Sequence, residues 1–180
     1  MKIKPLAILL FCCCLSLQSC WPTGTDDTDA FIDLQPSDYY QPVIMQRSEF
    51  ETTTTLLTNA EVIINSGKIY VKDTYIFINE RNKGFHIINN TDPTNPQNIA
   101  FLNVLGSSDL TIKDDAIYVN NATDLLALTI DINSGTIEIT KRVTNAFPQI
   151  RSPFGSEFYN LQENEIIVDW ILNDTSNEPS

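Results

Sequence analysis

The chain has 180 residues, of which 42% are hydrophobic and 19% charged, a composition typical of a folded domain and not of a disordered chain. Its 11 Lys and Arg stand against 23 Asp and Glu, and a formal net charge of −12 argues against nucleic acid as a partner, because that binding depends on cations that neutralise phosphates. Ile, Val and Thr supply 47 residues, a bias that favours strands because branched side chains suit a pleated surface.

Residues 1–19 are predicted to be a lipoprotein signal peptide. Two lysines precede an apolar stretch at 6–17, which is shorter than the roughly 20 residues of a membrane-spanning helix. The sequence LQSC at 17–20 resembles the lipobox of bacterial lipoproteins. This resemblance implies signal cleavage between Ser19 and Cys20, a lipid on the Cys20 sulfur, and acylation of the new amino group by a palmitate-type chain. The alternative is an ordinary signal peptide with an incidental cysteine.

Residues 20–43 are predicted to be the lipidated cysteine and a flexible tether, because prolines, a glycine and several aspartates interrupt any regular period. Lipid would anchor the protein to the outer membrane of a bacterial cell envelope, on its periplasmic or its surface side. The acidic body would be repelled by anionic headgroups, so the membrane is expected to be its anchor and not its ligand.

Residues 44–172 are predicted to form a repeat domain, followed by a disordered tail at 173–180. Four strand-like runs occur at 68–71, 75–79, 85–88 and 99–104. Turn-forming residues precede or separate them at 65–67, 72–73, 82–84 and 92–96. The sequence KDTYIFINERNKGFHIINN at 72–90 aligns with KDDAIYVNNATDLLALTID at 113–131, an offset of 41. Such a period, with about four short strands per unit, is typical of a β-propeller blade.

We therefore predict an all-β fold of propeller-type, four-stranded antiparallel units, with about two recognisable blades and a fragment. The smallest propellers have about four blades, so a closed ring within one chain is not expected. The two remaining arrangements are an open stack of blades and a ring formed by several copies of the chain. The last apolar segment, 165–172, is expected to fold back or to pair with another copy, with Ile167 and Trp170 buried, because an exposed apolar edge invites association.

Two motifs carry a resemblance to a known family. The sequence GFHIINN at 84–90 is followed by the corner DPTNP at 92–96, whereas the second unit keeps the strands and has DINSG at 131–135 instead of that corner. With these motifs, residues 69–131 resemble the LVIVD-repeat β-propeller lipoproteins of Bacteroidetes. The resemblance implies a short or truncated member of that family.

Candidate catalytic residues are few. His86 is the only histidine and is expected to be a hydrogen-bonded structural residue. The family resemblance draws attention to Asp109 and Asp124, and paired carboxylates can act as acid and base in glycoside hydrolysis, although aspartates in turns are more often simply solvated. The sequence contains no glycine-rich phosphate loop and no His/Cys cluster. We predict no catalytic residue, no metal site and no cofactor.

Several aromatic side chains could stack on a sugar or on a protein partner: Tyr39, Tyr40, Phe154, Tyr159 and Trp170. We predict a non-enzymatic binding or scaffold lipoprotein whose partner is an envelope protein or a glycan, with self-association through the open end of the sheet stack as a further option. The alternatives are a carboxylate-dependent glycan hydrolase and a truncated propeller without independent function.

Overall fold

The computed structural model describes residues 39–173. The predicted signal peptide, the Cys20 lipid site, most of the tether and residues 174–180 lie outside this range. The described elements are β1 (Tyr40–Gln46), α1 (Arg47–Phe50), β2 (Thr55–Leu57), β3 (Ser66–Lys72), β4 (Tyr75–Glu80), β5 (Gly84–Asn89), β6 (Gln97–Asn103), β7 (Leu110–Lys113), β8 (Ala116–Asn121), β9 (Asp124–Asp131), β10 (Thr136–Val143) and β11 (Glu165–Leu172).

The strands form two antiparallel blades and a separate ribbon, which confirms the predicted fold class. Blade 1 consists of β3–β6, with β2 added as a fifth strand beside β6, and blade 2 consists of β7–β10. The ribbon pairs β1 with β11. Within residues 39–173, none of these sheets closes into a ring. No helix in the same range has the length and the apolar character that crossing a membrane requires.

The turns between the first two strands of each blade repeat in detail. Asp73 and Asp114 occupy equivalent positions and have φ angles of 53° and 54°, a left-handed conformation that short polar side chains tolerate. The turn predicted at 65–67 is wrong, because Ser66 and Gly67 belong to β3. An irregularity in the pairing of β3 with β4 lies between Ser66 and Ile69, and it lets the strand begin earlier than the turn residues indicate.

The offset of 41 fails in the second half of the repeat. Three residues, 81–83, connect β4 to β5, but only two, 122–123, connect β8 to β9. Phe85 therefore corresponds in register to Leu125 and not to Leu126. Because successive side chains in a strand point to opposite faces, this deletion of one residue changes which leucines of β9 face blade 1.

The main core lies between the two blades. Apolar side chains from the facing surfaces of both sheets are buried there: Phe77, Phe85, Ile87, Ala100 and Leu102 from blade 1, and Leu110, Ile117, Val119, Leu126 and Leu128 from blade 2. Each blade thus has one covered face, and its other face is at least partly open.

The C-terminal segment pairs within the same chain and forms the ribbon. β11 folds back in the same chain onto β1, whose first four residues, 40–43, belong to the segment predicted as tether. Ile166 and Val168 pack with Phe50 and Ala122 in a second apolar cluster. Ile167 is buried as expected, whereas Trp170 is only half-buried and donates from Nε1 to the carbonyl of Ile150 at 2.9 Å.

Substitution of one strand residue tests the importance of the ribbon. Ile167→Ala should lower the free energy of unfolding by about 2–5 kcal/mol, because the side chain is fully buried and its removal leaves a cavity. Ile171→Ala in the same strand is the matched control, since this side chain is 46% exposed and its loss should cost much less. Urea unfolding of both variants measures the difference, and equal midpoints would contradict a structural role of β11.

Candidate functional site

A cleft of about 540 Å³ lies on the open face of blade 2, the face turned away from blade 1. Tyr118 and Leu125 contribute to its wall from the sheet, and Phe147, Pro148 and Ile150 contribute from the segment between β10 and β11. Most ligand pockets of proteins have volumes of about 300–1,000 Å³ and combine an apolar lining with a few polar groups. This cleft has both properties.

Strand alternation and the short turn after β8 decide which side chains reach the cleft. Ile117 and Val119 point into the core between the blades, so Tyr118 and Asn120 point to the other side of the sheet. In β9 the one-residue deletion places Leu125 opposite Asn120. Tyr118 is left 37% exposed.

The polar rim of the cleft is held in place by Asn120. Its Oδ1 accepts hydrogen bonds from the N–H groups of Ser108 and Asp109 at 2.9 and 3.0 Å, and its Nδ2 donates to the carbonyl of Gly106 at 3.0 Å. Gly106 has a φ of 69°, and a Cβ there would lie 2.8 Å from the Cα of Ala122. The loop can approach the turn after β8 this closely only with glycine at position 106.

The opposite wall is attached at two points. The N–H of Phe147 donates to the carbonyl of Thr123 at 2.8 Å, and Trp170 of the ribbon holds the carbonyl of Ile150. Segment 147–150 is therefore fixed both to blade 2 and to β11. The ribbon, although it does not line the cleft itself, positions one of its walls.

Asp109 lies on the rim of the cleft. Its side chain is 57% exposed and forms an ion pair with Lys68 of blade 1. Lys68 and Asp109 are separated by the repeat offset of 41, so the pair joins the same position in the two blades.

Asp124 is a buried structural carboxylate. Its Oδ2 accepts hydrogen bonds from Nη1 of Arg47 at 3.0 Å and of Arg142 at 2.8 Å, and its Oδ1 accepts from the N–H of Asn145 at 3.1 Å. Burial alone would raise the pKa of Asp124, but the hydrogen bonds from Arg47, Arg142 and Asn145 outweigh it and lower the pKa. The carboxylate is ionised, does not line the cleft and is poorly suited to donate a proton.

The two aspartates of the hydrolase alternative are therefore not brought together in one cavity. Asp109 borders the cleft, whereas Asp124 lies between an arginine of α1 and an arginine of β10 in its own blade. Glycosidases need both carboxylates on either side of the same scissile bond.

His86 is fully buried on the partly open face of blade 1, and its expected hydrogen bond is confirmed. Its Nε2 lies 3.1 Å from Oε2 of Glu80, and its ring packs on Phe101 with 4.9 Å between the ring centroids. Glu80 also accepts hydrogen bonds from the N–H groups of Ile64 and Asn65. Burial by itself raises the pKa of Glu80, but these backbone hydrogen bonds and the one from His86 lower it overall.

The aromatic residues singled out from the sequence do not line the cleft. Tyr39 and Tyr40 make edge contacts with Phe154, and Tyr159 is 85% exposed. Sequence reasoning missed Tyr118 and Phe147 as cleft residues. The repeat contained a signal for Tyr118, because it aligns with Phe77, which packs against the next blade.

Comparisons with models of known protein families, with curated proteins and with solved structures find no match to this chain. In the part of the chain that the structure describes, His, Cys, Asp and Glu side chains form no group of three or more that could hold a metal ion.

Asp124→Asn tests whether this carboxylate is structural. The substitution removes the charge that neutralises two half-buried arginines, which can still reach water, and we expect the free energy of unfolding at pH 7 to fall by about 1–3 kcal/mol. Asp109→Asn is the control, because its exposed ion pair is worth only about 0–1 kcal/mol.

The pH dependence of the same variants gives a second readout. Because the pKa of Asp124 is lowered by folding, its stabilising effect is fully present above the ordinary carboxyl pKa of about 3.9 and is lost as the pH falls through the lowered value. The difference between the parent protein and Asp124→Asn should therefore shrink in acid. Thermal unfolding between pH 7 and pH 2 measures it, and a difference that is constant with pH would contradict this assignment.

Proposed function

We propose that the protein is a non-enzymatic binding or scaffold lipoprotein of the bacterial envelope, and that the cleft on blade 2 receives a protein partner. The observation that carries this proposal is the open face of blade 2, where Tyr118 and Leu125 lie in a preformed cleft although the equivalent residues of blade 1 are covered by another sheet. An exposed surface of that kind, bordered by polar groups, is typical of interaction sites.

Membership of the LVIVD-repeat lipoproteins is part of the proposal. It is supported by two four-stranded blades at the expected spacing and by the recurring turn at Asp73 and Asp114. Anchoring at Cys20 is supported by the lipobox-like sequence LQSC.

A binding role explains the arrangement around the cleft better than hydrolysis. Among the described residues that line the cleft, Asp109 is the only acidic one, and it is engaged by Lys68. No second carboxylate faces it across the lining, so acid and base roles cannot be divided between two groups there. A glycan is the second candidate ligand, because Tyr118 and Phe147 offer ring faces next to a carboxylate that can accept hydrogen bonds from sugar hydroxyls.

Photo-crosslinking in intact cells tests the protein-binding proposal. Tyr118→p-benzoylphenylalanine should give an adduct with a defined protein, identified by mass spectrometry, because position 118 lies in the cleft. Tyr159 is the matched control position, since it is highly exposed but does not line the cleft. Equal adducts at both positions, or none at position 118, would count against a protein partner in the cleft.

The glycan candidate has its own test. A ligand that contacts Ile150 should change the fluorescence of Trp170, which is hydrogen-bonded to that residue, and Trp21→Phe removes the other tryptophan of the chain. Saturable changes with soluble oligosaccharides, lost in Tyr118→Ala and kept in Tyr159→Ala, would favour the glycan over the protein partner.

The lipid anchor is tested by Cys20→Ala. The variant should leave the membrane fraction or accumulate uncleaved, because the thioether carries the anchor. Labelling with a clickable fatty acid measures this directly. Equal labelling of the parent and of Cys20→Ala would refute a lipid on this residue.

A further inference from the structure

We propose that blade 1 of a second copy of this chain packs on the open face of blade 2, repeating between molecules the contact that the two blades make within one molecule. This inference deepens the proposed function and rests on it, because it names the occupant of the same cleft. It is carried by the register of the repeat and by the charges on β3 of blade 1 and β7 of blade 2, the inner strands of the two blades.

By repeat register, the open face of blade 2 corresponds to the face of blade 1 that packs against blade 2. By strand register, Tyr118 corresponds to Phe77 and Leu125 corresponds to Phe85. In blade 1 both of these residues are buried against the neighbouring sheet, with 4% and 2% exposure. In blade 2 the corresponding residues line the cleft instead.

The other side of the contact is also present on the chain. On the open face of blade 1, Ile69 and Val71 of β3 are 65% and 63% exposed. Their equivalents in blade 2 are Leu110 and Ile112, which pack against blade 1 in the core between the blades, and Leu110 is only 6% exposed. Two aliphatic side chains that are covered in one repeat are thus left in water in the other.

Further along the same face, aliphatic character is kept. Ile76 and Ile78 of β4 correspond to Ile117 and Val119 of β8, which are buried against blade 1. Blade 1 therefore offers to a neighbour the same kind of surface that blade 2 offers within the chain.

The charges at the inner strands match this arrangement. Within the chain, Lys68 pairs with Asp109. The pKa of Lys72 is raised mainly by its neighbour Asp73 and to a lesser degree by the charges of Asp115 and Asp114 in blade 2. In the proposed contact, blade 2 of one copy takes the place of blade 1 and blade 1 of the other copy takes the place of blade 2. Asp109 of the first copy then lies opposite Lys68 of the second, and Lys113 of the first lies opposite Asp73 of the second. Both pairs have opposite signs. A symmetric contact between two blade 1 faces would instead bring the lysines of two β3 strands together.

Space for the second copy lies at the inner strands. The strap, residues 58–65, covers the β5 and β6 side of the open face of blade 1, where it lines a small cavity with His86 and Phe101. Segment 147–150 lies beside the turn between β8 and β9 of blade 2, where Phe147 is hydrogen-bonded to Thr123. The strap leaves the β3 side of this face exposed, at Ile69 and Val71, and this is where the second copy would pack.

One contact within the chain supplies the positions for a crosslink. The hydroxyl of Tyr70 lies 3.4 Å from the backbone nitrogen of Ile112 and joins the inner strands of the two blades. Between copies the same contact relates Thr111 of one molecule to Val71 of the other. Within one molecule these two residues lie on the opposite, outward faces of the two blades, so a short reagent cannot join them.

The experiment uses the full chain in detergent micelles, with Cys12, Cys13, Cys14 and Cys20 changed to Ser. One preparation carries Thr111→Cys and the other carries Val71→Cys, and each is first shown to have the melting temperature of the parent. A short bismaleimide then joins the two cysteines, spanning between copies the distance that the Tyr70 side chain spans within one chain. We expect crosslinked dimer in the mixture of the two preparations and only monomer with either preparation alone.

A charge variant provides the second measurement. Lys113→Asp in the Thr111→Cys chain should reduce the yield of dimer, because Asp73 of the other copy then faces a like charge. The pair between Lys72 and Asp73 within the chain is not altered.

Two outcomes would overturn the inference: no dimer in the mixture, or dimer from the Val71→Cys preparation alone, which would indicate a symmetric contact. Its failure can be distinguished from that of the proposed function. An adduct at position 118 with a different protein, together with the absence of crosslinked dimer, would leave a protein-binding cleft and exclude the second copy as its occupant.

Discussion

The packing of one blade face on another is the interaction on which the rest of the structure depends. Side chains such as Phe77 and Ile87 are buried only because blade 2 covers them, and burying one such side chain is worth roughly 1.5–3 kcal/mol. The exposed ion pair between Lys68 and Asp109 contributes at most about 1 kcal/mol. Apolar burial therefore holds the blades together, and the charges mainly select which edges meet.

A buried polar cluster connects this core to the ribbon. Arg47 follows β1 directly, Arg142 lies in β10, and both donate to Asp124 at the start of β9. A carboxylate placed between two arginines is costly to bury unless its oxygens are fully hydrogen-bonded, and here both oxygens accept. The cluster fixes where the ribbon sits on the blades, and the ribbon in turn holds the wall of the cleft through Trp170 and Ile150.

The same constraint explains why the cleft exists. A blade has two faces to cover, and two blades can cover only one face each. The remaining face of blade 1 is partly protected by the strap, whose Ile64 and Asn65 N–H groups bind Glu80. Within residues 39–173, segment 147–150 borders the remaining face of blade 2 and leaves Tyr118 and Leu125 partly exposed, so both are available to a partner.

The sequence by itself determined the all-β class, the strands of blade 1 and the recurring turn at Asp73 and Asp114, because alternation, branched residues and turn residues are local signals. It also indicated a hydrogen-bonded, structural His86. Only the tertiary structure decided the face of Leu125, since a deletion of one residue in a turn is invisible in an ungapped alignment but exchanges the two faces of the following strand. The pairing of β1 with β11 joins residues 119 or more positions apart, and the contact of Arg47 with Asp124 joins residues 77 positions apart. No local pattern encodes such contacts.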